Sequence, residues 1–373
     1  MSCTICLLGL AAGGTLNRSG RRCAIWVAQS HLCPKHGICP RMQQQGSMLQ
    51  PGVRTLARGF EAHGWQVLRG WGVAQAARGL YKDTLDATEA GGFANWSTIE
   101  PPLGAGDIFV WVGVLGAIAA AAHLRGMRAR GVFTAYYSSD SGVTSCNLKQ
   151  RLGDAVAEVW EYNHANQLLC NLSRPVRYLP PGYMPEMRLA NISDQTPTLI
   201  FAGNLHNNPA RRKIFADLDR EVQRLGLHAR LVSRDDLWDD AAWNRVFMTN
   251  AFFANLHKSG DDYRNLFKMN CEAFRFATLL SAGAHVISLR CHPLDEAEYD
   301  DGLVLFVNNA SDIAAAFGSA IDRARRSEGT LPNRRDAFAS RFNVEALFWR
   351  AGIPALMSRL QSEAEYGKEL KVP

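Results

Sequence analysis

The chain has 373 residues, of which 47% are hydrophobic and 20% are charged, and its formal net charge is +6. This composition is typical of globular proteins and excludes a disordered chain, and the length is sufficient for two domains with cores of their own. The basic residues are scattered and form no long run, so nucleic acid is not predicted as a partner.

Residues 1–20 are predicted to form a leader or a disordered segment. Their apolar stretch at 6–12 is too short to span a bilayer and follows no basic region. The longer apolar run at 108–124 is interrupted by Gly113 and Gly116, which favours a strand followed by a helix. The sequence therefore predicts no transmembrane anchor.

Nine cysteines are present. Cys33, His36 and Cys39 have a spacing that suits metal ligands but match no standard zinc signature, so a zinc site and ordinary thiols or disulfides both stay open. The odd total argues against a fully oxidised disulfide scaffold. The four cysteines beyond residue 140 are spread singly and are predicted to be small residues in or near the core. They are Cys146, Cys170, Cys271 and Cys291.

Buried strands and helices alternate through the first half of the chain. Short apolar runs predict the strands, and apolar residues at helical spacing predict the helices. We expect strands at 24–28, 65–68, 106–114, 131–140, 157–163 and 176–183, and helices at 51–64, 165–172 and in a segment that ends at Arg128. Strand–helix units that repeat in this way are typical of parallel sheets.

The second half continues the same alternation. Gly283 follows one predicted helix in the position of a C-cap. Strands are expected at 198–202, 228–232, within 244–255, at 286–288 and at 302–306, and helices from Pro209 onward and at 272–282. Apolar residues at helical spacing between 343 and 360 predict one or two closing helices.

Polar residues follow the strand at 198–202. Gly203 and Asn204 come directly after it, and the next helix begins near Pro209 with Arg212 in its first turns. A cation opposes the dipole at a helix N-terminus, so it needs another partner there. Free N–H groups and cations together suit a diphosphate, which makes these residues candidates for an anion site. A solvated helix face is the alternative.

A second polar group follows the strand that ends at residue 255. His257 and Lys258 lie just beyond that strand, and in open α/β sheets ligands bind at this carboxyl edge. Glu272 and Arg275 are three residues apart, on one face of the next helix. An ordinary surface pair is the alternative for the first two residues, and an internal salt bridge is the alternative for the second two.

The segment Glu272-Ala-Phe-Arg275-Phe-Ala-Thr278-Leu-Leu-Ser-Ala-Gly283-Ala resembles the nucleotide-sugar motif of exostosin-like and group 1 glycosyltransferases. That motif runs roughly Glu-x-Phe-Arg-x-x-Glu-Ala-Leu-x-x-Gly-Ala and precedes a buried strand. The resemblance is good over residues 250–306 and looser elsewhere. It departs at Thr278, where the family has a glutamate that holds the donor ribose. A threonine hydroxyl forms hydrogen bonds but carries no charge.

The resemblance implies an α/β protein of the GT-B type, with two Rossmann-like domains that face a cleft and C-terminal helices that close the structure. The expected divisions are a leader at 1–20, an acceptor domain at 21–190, a nucleotide-sugar domain at 191–342 and closing helices at 343–373. The donor-binding residues would be Gly203, Asn204, Arg212, His257, Lys258, Glu272, Arg275 and Thr278.

The resemblance also implies an activity, the transfer of a sugar from a nucleotide-sugar to a glycan or another hydroxyl acceptor. No cofactor or metal is expected, although the pair Asp261 and Asp262 suits a cation. Three acidic residues at 295, 296 and 298 are expected to form a solvated turn. The alternative is a catalytically degenerate relative that binds glycans or nucleotides without turnover, which the threonine at 278 favours.

Sugar transfer by inversion requires a general base near the acceptor hydroxyl. Four residues near strand ends of the first half are candidates for this role. They are Asp140, Glu161, His164 and His123. We place Asp140 first, because it closes a strand within a Ser-Ser-Asp-Ser-Gly loop.

Overall fold

The computed structural model describes residues 20–30, 50–74, 102–113, 117–139, 143–189, 197–203, 205, 209–232, 251–257, 271–326 and 334–369. All statements about the structure concern these residues. Of the sequence candidates, Asn204, Lys258 and Asp140 lie outside them, as do the Cys33–His36–Cys39 group and the pair at 261 and 262.

The first half of the chain forms a six-stranded parallel sheet in the order β2-β1-β3-β4-β5-β6. Ile108 pairs with Cys23 on one side and Phe133 on the other, which fixes the register at the sheet centre. The strands are β1 (Arg22–Ser30), β2 (Gln66–Ala74), β3 (Ile108–Val112), β4 (Phe133–Tyr137), β5 (Glu158–Glu161) and β6 (Val176–Tyr178). The helices are α1 (Gln50–Ala62), α2 (Ala117–Ala129), α3 (Val143–Leu152) and α4 (His164–Leu169).

The second half forms a five-stranded parallel sheet in the order β11-β10-β9-β7-β8. Its strands are β7 (Thr198–Ala202), β8 (His228–Val232), β9 (Phe252–Asn255), β10 (His285–Leu289) and β11 (Val304–Val307). Its helices are α5 (Pro209–Arg224), α6 (Ala273–Ala282), α7 (Pro293–Glu298) and α8 (Ala310–Arg325). From β7 the chain adds β8 on one side of the sheet and then β9, β10 and β11 on the other, so the strand order reverses between β7 and β9. In such sheets the crevice for ligands lies at the carboxyl ends of the two strands at this point.

Three more helices follow, namely α9 (Arg334–Arg341), α10 (Val344–Arg350) and α11 (Ile353–Glu369). They return to the first half, in the position of the closing helices that the resemblance implies. The ring of Phe348 on α10 packs edge-on against Phe60 of α1, with 5.3 Å between ring centroids. Arg177 on β6 donates to the carbonyl of Ala351 over 2.9 Å. The closing helices therefore bind the two halves together.

The carboxyl edges of the two sheets meet through α6. Phe274 in the first turn of α6 packs against Tyr137 at the end of β4 and Tyr162 just after β5, with ring centroids 6.0 and 5.0 Å apart. Gly52 on α1 lies against the same ring, since a Cβ at this position would come within 2.7 Å of Phe274. One hydrophobic cluster thus extends from the first half into the second.

Helix α6 ends as the sequence predicts. Gly283 has a φ of 91° in the left-handed region, and its N–H donates to the carbonyls of Leu279 and Leu280. Glycine adopts this conformation without the steric penalty of a side chain, which explains why the helix stops here.

The four later cysteines are buried, as predicted. They also form two disulfides that the sequence did not predict, Cys146–Cys170 and Cys271–Cys291. One prediction is wrong. The acidic segment is not a solvated turn but the short helix α7, in which Asp295 is 1% exposed. Asp295 is buried because it accepts hydrogen bonds from backbone groups of the other half.

No helix within the described residues is long and apolar enough to cross a membrane.

Candidate functional site

A cluster of charged side chains occupies the crevice at the carboxyl ends of β7 and β9. Helices α5 and α6 both begin at this edge, so two helix N-termini point toward it, with a positive partial charge and with N–H groups that have no partner within their own helix. The side chains come from different elements. They are Arg211 on α5, Asn255 and His257 at the end of β9, and Glu272 and Arg275 at the start of α6.

Two guanidinium groups are buried in this cluster with one carboxylate between them. The side chains of Arg211 and Arg275 are only 4% and 8% exposed. Glu272 is 22% exposed, and its carboxylate lies 3.5 Å from Arg211 Nη2 and 3.9 Å from Arg275 Nη2. These three charges sum to one positive unit, which leaves the cluster electropositive.

The ring of Phe201 on β7 forms the floor of the cluster. The guanidinium carbons of Arg211 and Arg275 lie 5.5 and 5.9 Å from its centroid, within the range of cation–π attraction. Gly203 follows β7 directly above this ring, and a Cβ there would come within 2.7 Å of it. The glycine found in the sequence is therefore required for the close approach of the backbone to Phe201.

Asn255 holds Arg275 in place. Its Oδ1 accepts a hydrogen bond of 2.6 Å from Arg275 Nη1, and its amide Nδ2 donates to Ser288 Oγ over 2.9 Å. Both Asn255 and Ser288 are fully buried. Because the partners of the asparagine lie on α6 and β10, this contact fixes the guanidinium relative to the sheet.

Burial lowers the pKa of Arg211 to about 10, and the positive charge of Arg275 lowers it further in the same direction, while Glu272 opposes both effects. For Arg211, the nearby carboxylate therefore opposes the effect of burial without cancelling it. An anion in the crevice would complete the compensation.

His257 links the ends of two strands. Its Nε2 lies 2.9 Å from the carbonyl of Leu289 at the end of β10 and donates to it. Burial lowers the pKa of His257, so the ring is neutral near pH 7. In this geometry the histidine supports the edge of the sheet on which the cluster rests.

The remaining sequence candidates take different positions. Thr278 is buried on α6, and its hydroxyl donates to the carbonyl of Phe274 over 3.1 Å.

Arg212 is exposed on α5, and its neighbour Arg211 is the residue that enters the cluster. The apolar residues Ile214, Leu218 and Val222 form the buried face of α5, and residue 211 lies in phase with them. This periodicity is the signal that distinguishes the two arginines.

Asn255 is the second site residue that sequence reasoning missed. It is a polar residue at the end of an apolar strand, two residues before the predicted candidate His257. Its place at the carboxyl edge of the sheet is a signal that it belongs to the same crevice.

The other base candidates of the first half are engaged or distant. Glu161 is fully buried and forms an ion pair with Lys149 on α3, and its pKa is raised by burial. His164 Nε2 lies 3.2 Å from Glu298 on α7. His123 is exposed on α2, away from the strand ends. Asp140 follows β4 outside the described residues, so its assignment stays a prediction.

Helix α7 of the second half holds the start of α4 in the first half. The Asp295 carboxylate accepts from the backbone N–H groups of His164 and Ala165 over 2.6 and 3.3 Å. Burial raises the pKa of Asp295 to about 6, although both hydrogen bonds act in the opposite direction.

Within the described residues, no group of three His, Cys, Asp or Glu side chains is arranged to hold a metal ion.

The structure has two Rossmann-like parallel sheets whose carboxyl edges face a common cleft, and its C-terminal helices return to the first sheet. These features define the GT-B fold of nucleotide-sugar glycosyltransferases. The structural comparison agrees. The chain is similar to HepE from Anabaena, solved in complex with UDP-glucose, at a TM-score of 0.50 and 10% sequence identity, over 89% of this chain and 99% of HepE.

Two further structures show the same likeness at lower scores. One is WaaB, a lipopolysaccharide outer core galactosyltransferase, with a TM-score of 0.46 and 10% identity over 93% of this chain and 99% of WaaB. The other, trehalose-6-phosphate synthase from E. coli bound with UDP-2-fluoro glucose, has a TM-score of 0.44 and 13% identity over 90% and 98%. No protein-family model and no curated protein matches the sequence. The narrower likeness to exostosins stays a prediction.

Proposed function

We propose that the protein transfers a glycosyl group from a nucleotide-sugar to a hydroxyl acceptor. The observation that carries this proposal is the cluster of Arg211, Glu272 and Arg275 at the point where the strand order of the second sheet reverses. Two buried guanidinium groups and two helix N-termini suit the diphosphate of such a donor.

The acceptor would bind on the side of the first half. The rings of Tyr137 and Tyr162 close one side of the cluster by packing against Phe274, so the space for an acceptor adjoins the carboxyl edge of the first sheet. A general base from that edge would remove the proton of the acceptor hydroxyl as the bond to the sugar forms. Asp140 is our assignment for this role, on its position after β4.

A thermal-shift screen with UDP, GDP, ADP and CDP tests the donor site. UDP is the first choice, because HepE was solved with UDP-glucose. A ligand at a hundred times its dissociation constant adds about 2.7 kcal/mol of stability and raises the melting temperature clearly. We expect one nucleotide to stabilise the protein, and we expect Arg211→Ala and Arg275→Ala each to abolish the shift.

Arg212→Ala is the matched control, since this exposed arginine is the neighbour of Arg211 on α5. It should leave the shift unchanged. The absence of a shift with all four nucleotides, or an equal loss in Arg212→Ala, would contradict the proposed site.

Release of nucleoside diphosphate from the sugar donor tests catalysis. Asp140→Asn should retain nucleotide binding and lose turnover, whereas Asp154→Asn, which changes an exposed carboxylate of the same half, should retain both. Equal turnover in Asp140→Asn and the wild type would refute the assignment of the base.

A binding protein without turnover is the second candidate. It is favoured by Thr278, an uncharged residue whose hydroxyl is already used in a hydrogen bond within α6. Nucleotide binding by the wild type together with no release of product from any sugar donor would support this candidate over the transferase.

A further inference from the structure

A disulfide lies beside the arginine cluster. Cys271 directly precedes Glu272, and Cys291 follows the end of β10. The two cysteines are 1% and 0% exposed, and their Cα atoms are 5.6 Å apart. The bridge therefore joins the start of α6, which carries Glu272 and Arg275, to the loop between β10 and α7.

The start of α6 has no side-chain cap. Glu272 is the N-cap residue, yet its side chain forms no capping hydrogen bond with the backbone N–H groups of the first turn. N-caps normally hold a helix end by such a bond. At the start of α6, the disulfide at the preceding residue supplies a covalent anchor to the rest of the second half.

The other end of the bridge is firmly held. The backbone N–H of Cys291 donates to Glu296 over 2.8 Å, and Arg290 contacts the same carboxylate over 2.8 Å. The carbonyl of Leu289, just before this loop, accepts from His257. The loop is thus fixed to both α7 and β9, and through the bridge it fixes the first turn of α6.

We infer that the Cys271–Cys291 disulfide positions the first turn of α6, and with it Arg275, for binding of the donor diphosphate, so that loss of the bridge weakens nucleotide binding. This inference rests on the proposed function. Immobilising a long side chain on binding opposes association, and at Arg275, once the bridge no longer orders it, this corresponds to a rise in the dissociation constant of up to about tenfold.

The second disulfide provides a matched control. Cys146–Cys170 joins α3 to the end of α4 in the first half, and it closes a separation of 24 residues against 20 for Cys271–Cys291. The two bridges should therefore contribute similarly to stability through the unfolded chain. Only one of them adjoins the arginine cluster.

The test compares UDP binding, by titration calorimetry, in the wild type, Cys271→Ser/Cys291→Ser and Cys146→Ser/Cys170→Ser. We expect the first variant to bind up to about tenfold more weakly and the second to bind as the wild type does. Equal affinity in all three proteins would overturn the inference. So would alkylation of the native protein, followed by mass spectrometry, if it finds Cys271 and Cys291 as free thiols.

A second measurement keeps the inference testable if Cys271→Ser/Cys291→Ser does not fold. Dithiothreitol reduces a disulfide to two thiols by supplying two electrons and two protons while it closes to its own cyclic disulfide. Amide hydrogen exchange of the wild type before and after this treatment should show faster exchange in the first turn of α6. Unchanged exchange there after verified reduction of the Cys271–Cys291 bridge would overturn the inference.

Exchange also separates the two proposals. If the wild type binds no nucleotide, the proposed function fails, and the positioning of α6 by the bridge is then decided by exchange alone. If the wild type binds and the bridge makes no difference to affinity, the positioning inference fails and the proposed function stands.

Discussion

Replacing Glu272 by glutamine should have opposite effects on stability and on nucleotide affinity. The carboxylate lies between the guanidinium groups of Arg211 and Arg275, at 3.5 and 3.9 Å. Glutamine keeps the size of the side chain and removes its charge. Without ligand, the two buried cations then lose the carboxylate that lies between them. With a diphosphate bound, the anion replaces the missing charge.

The magnitude follows from the geometry. Two unit charges 4 Å apart interact with about 4 kcal/mol at an effective dielectric constant of 20. Glu272 is still 22% exposed and therefore partly hydrated. Removing the charge also removes the cost of partly dehydrating the carboxylate on folding, which offsets part of the lost attraction. We therefore expect the free energy of unfolding to fall by about 2 kcal/mol. Repulsion between the carboxylate and the diphosphate disappears at the same time, so the dissociation constant of UDP should fall about tenfold.

Urea unfolding of the free protein and titration calorimetry with UDP measure the two effects. Glu363→Gln is the control, since it removes an exposed carboxylate that lies 3.7 Å from Arg359 on α11. It should change neither quantity. Weaker UDP binding by Glu272→Gln would refute the reasoning, because it would mean that the carboxylate contacts the ligand directly and does not act through the arginines.

Three further predictions concern the fold and the support of the site. Lys149→Met leaves the Glu161 carboxylate buried without its cation, so the free energy of unfolding, measured with urea, should fall by about 3–5 kcal/mol. The double variant Lys149→Met/Glu161→Leu should recover most of this stability, and a double variant as unstable as the single one would contradict the prediction. Asn255→Ala removes the 2.6 Å hydrogen bond to Arg275, so titration calorimetry should show UDP binding about tenfold more weakly. An unchanged affinity would mean that Arg275 needs no such support. Burial lowers the pKa of His285 to about 4 from 6.5, so the unfolded chain takes up the proton first and stability falls by about 3 kcal/mol as the pH drops from 6.5 to 4. The raised pKa of Asp295, about 6, acts in the opposite sense, since the folded chain takes up that proton first and stability falls as the pH rises from 4 to 6. Urea unfolding across this range should therefore show a steeper loss toward low pH in Asp295→Asn and no such loss in His285→Phe, and identical profiles for the two variants would refute both assignments.

The alternation of strands and helices was predictable because it depends on local patterns. The run at 198–202 is short and mostly apolar, and 228–232 is a short run that ends in Leu-Val, and the structure has β7 and β8 at these positions. Helix α3 was not predicted, because Val143–Leu152 contains several polar residues and shows little apolar periodicity. Its burial comes from packing against the rest of the first half.

The parts of the site that the sequence did not reveal depend on contacts between distant residues. Asp295 lies in an acidic segment that is typical of solvated turns, and it is buried only because two N–H groups more than a hundred residues earlier require an acceptor. The disulfides are similar, since the spacing of single cysteines does not determine which of them come together. Arg211 differs from these cases, because its phase with the buried face of α5 is visible in the sequence itself.

The first turn of α6 connects the candidate donor site to the contact between the halves. Glu272 and Arg275 face the arginine cluster, while Phe274 lies between them in sequence and packs against Tyr137 and Tyr162. A shift of this turn would therefore move charged groups and aromatic contacts together. The groups that hold the turn are a disulfide at its start and Asn255 at its arginine, and both connect it to the second sheet. The second half thus holds the turn through a covalent bond and a buried hydrogen bond, and the first half contacts the turn through aromatic packing.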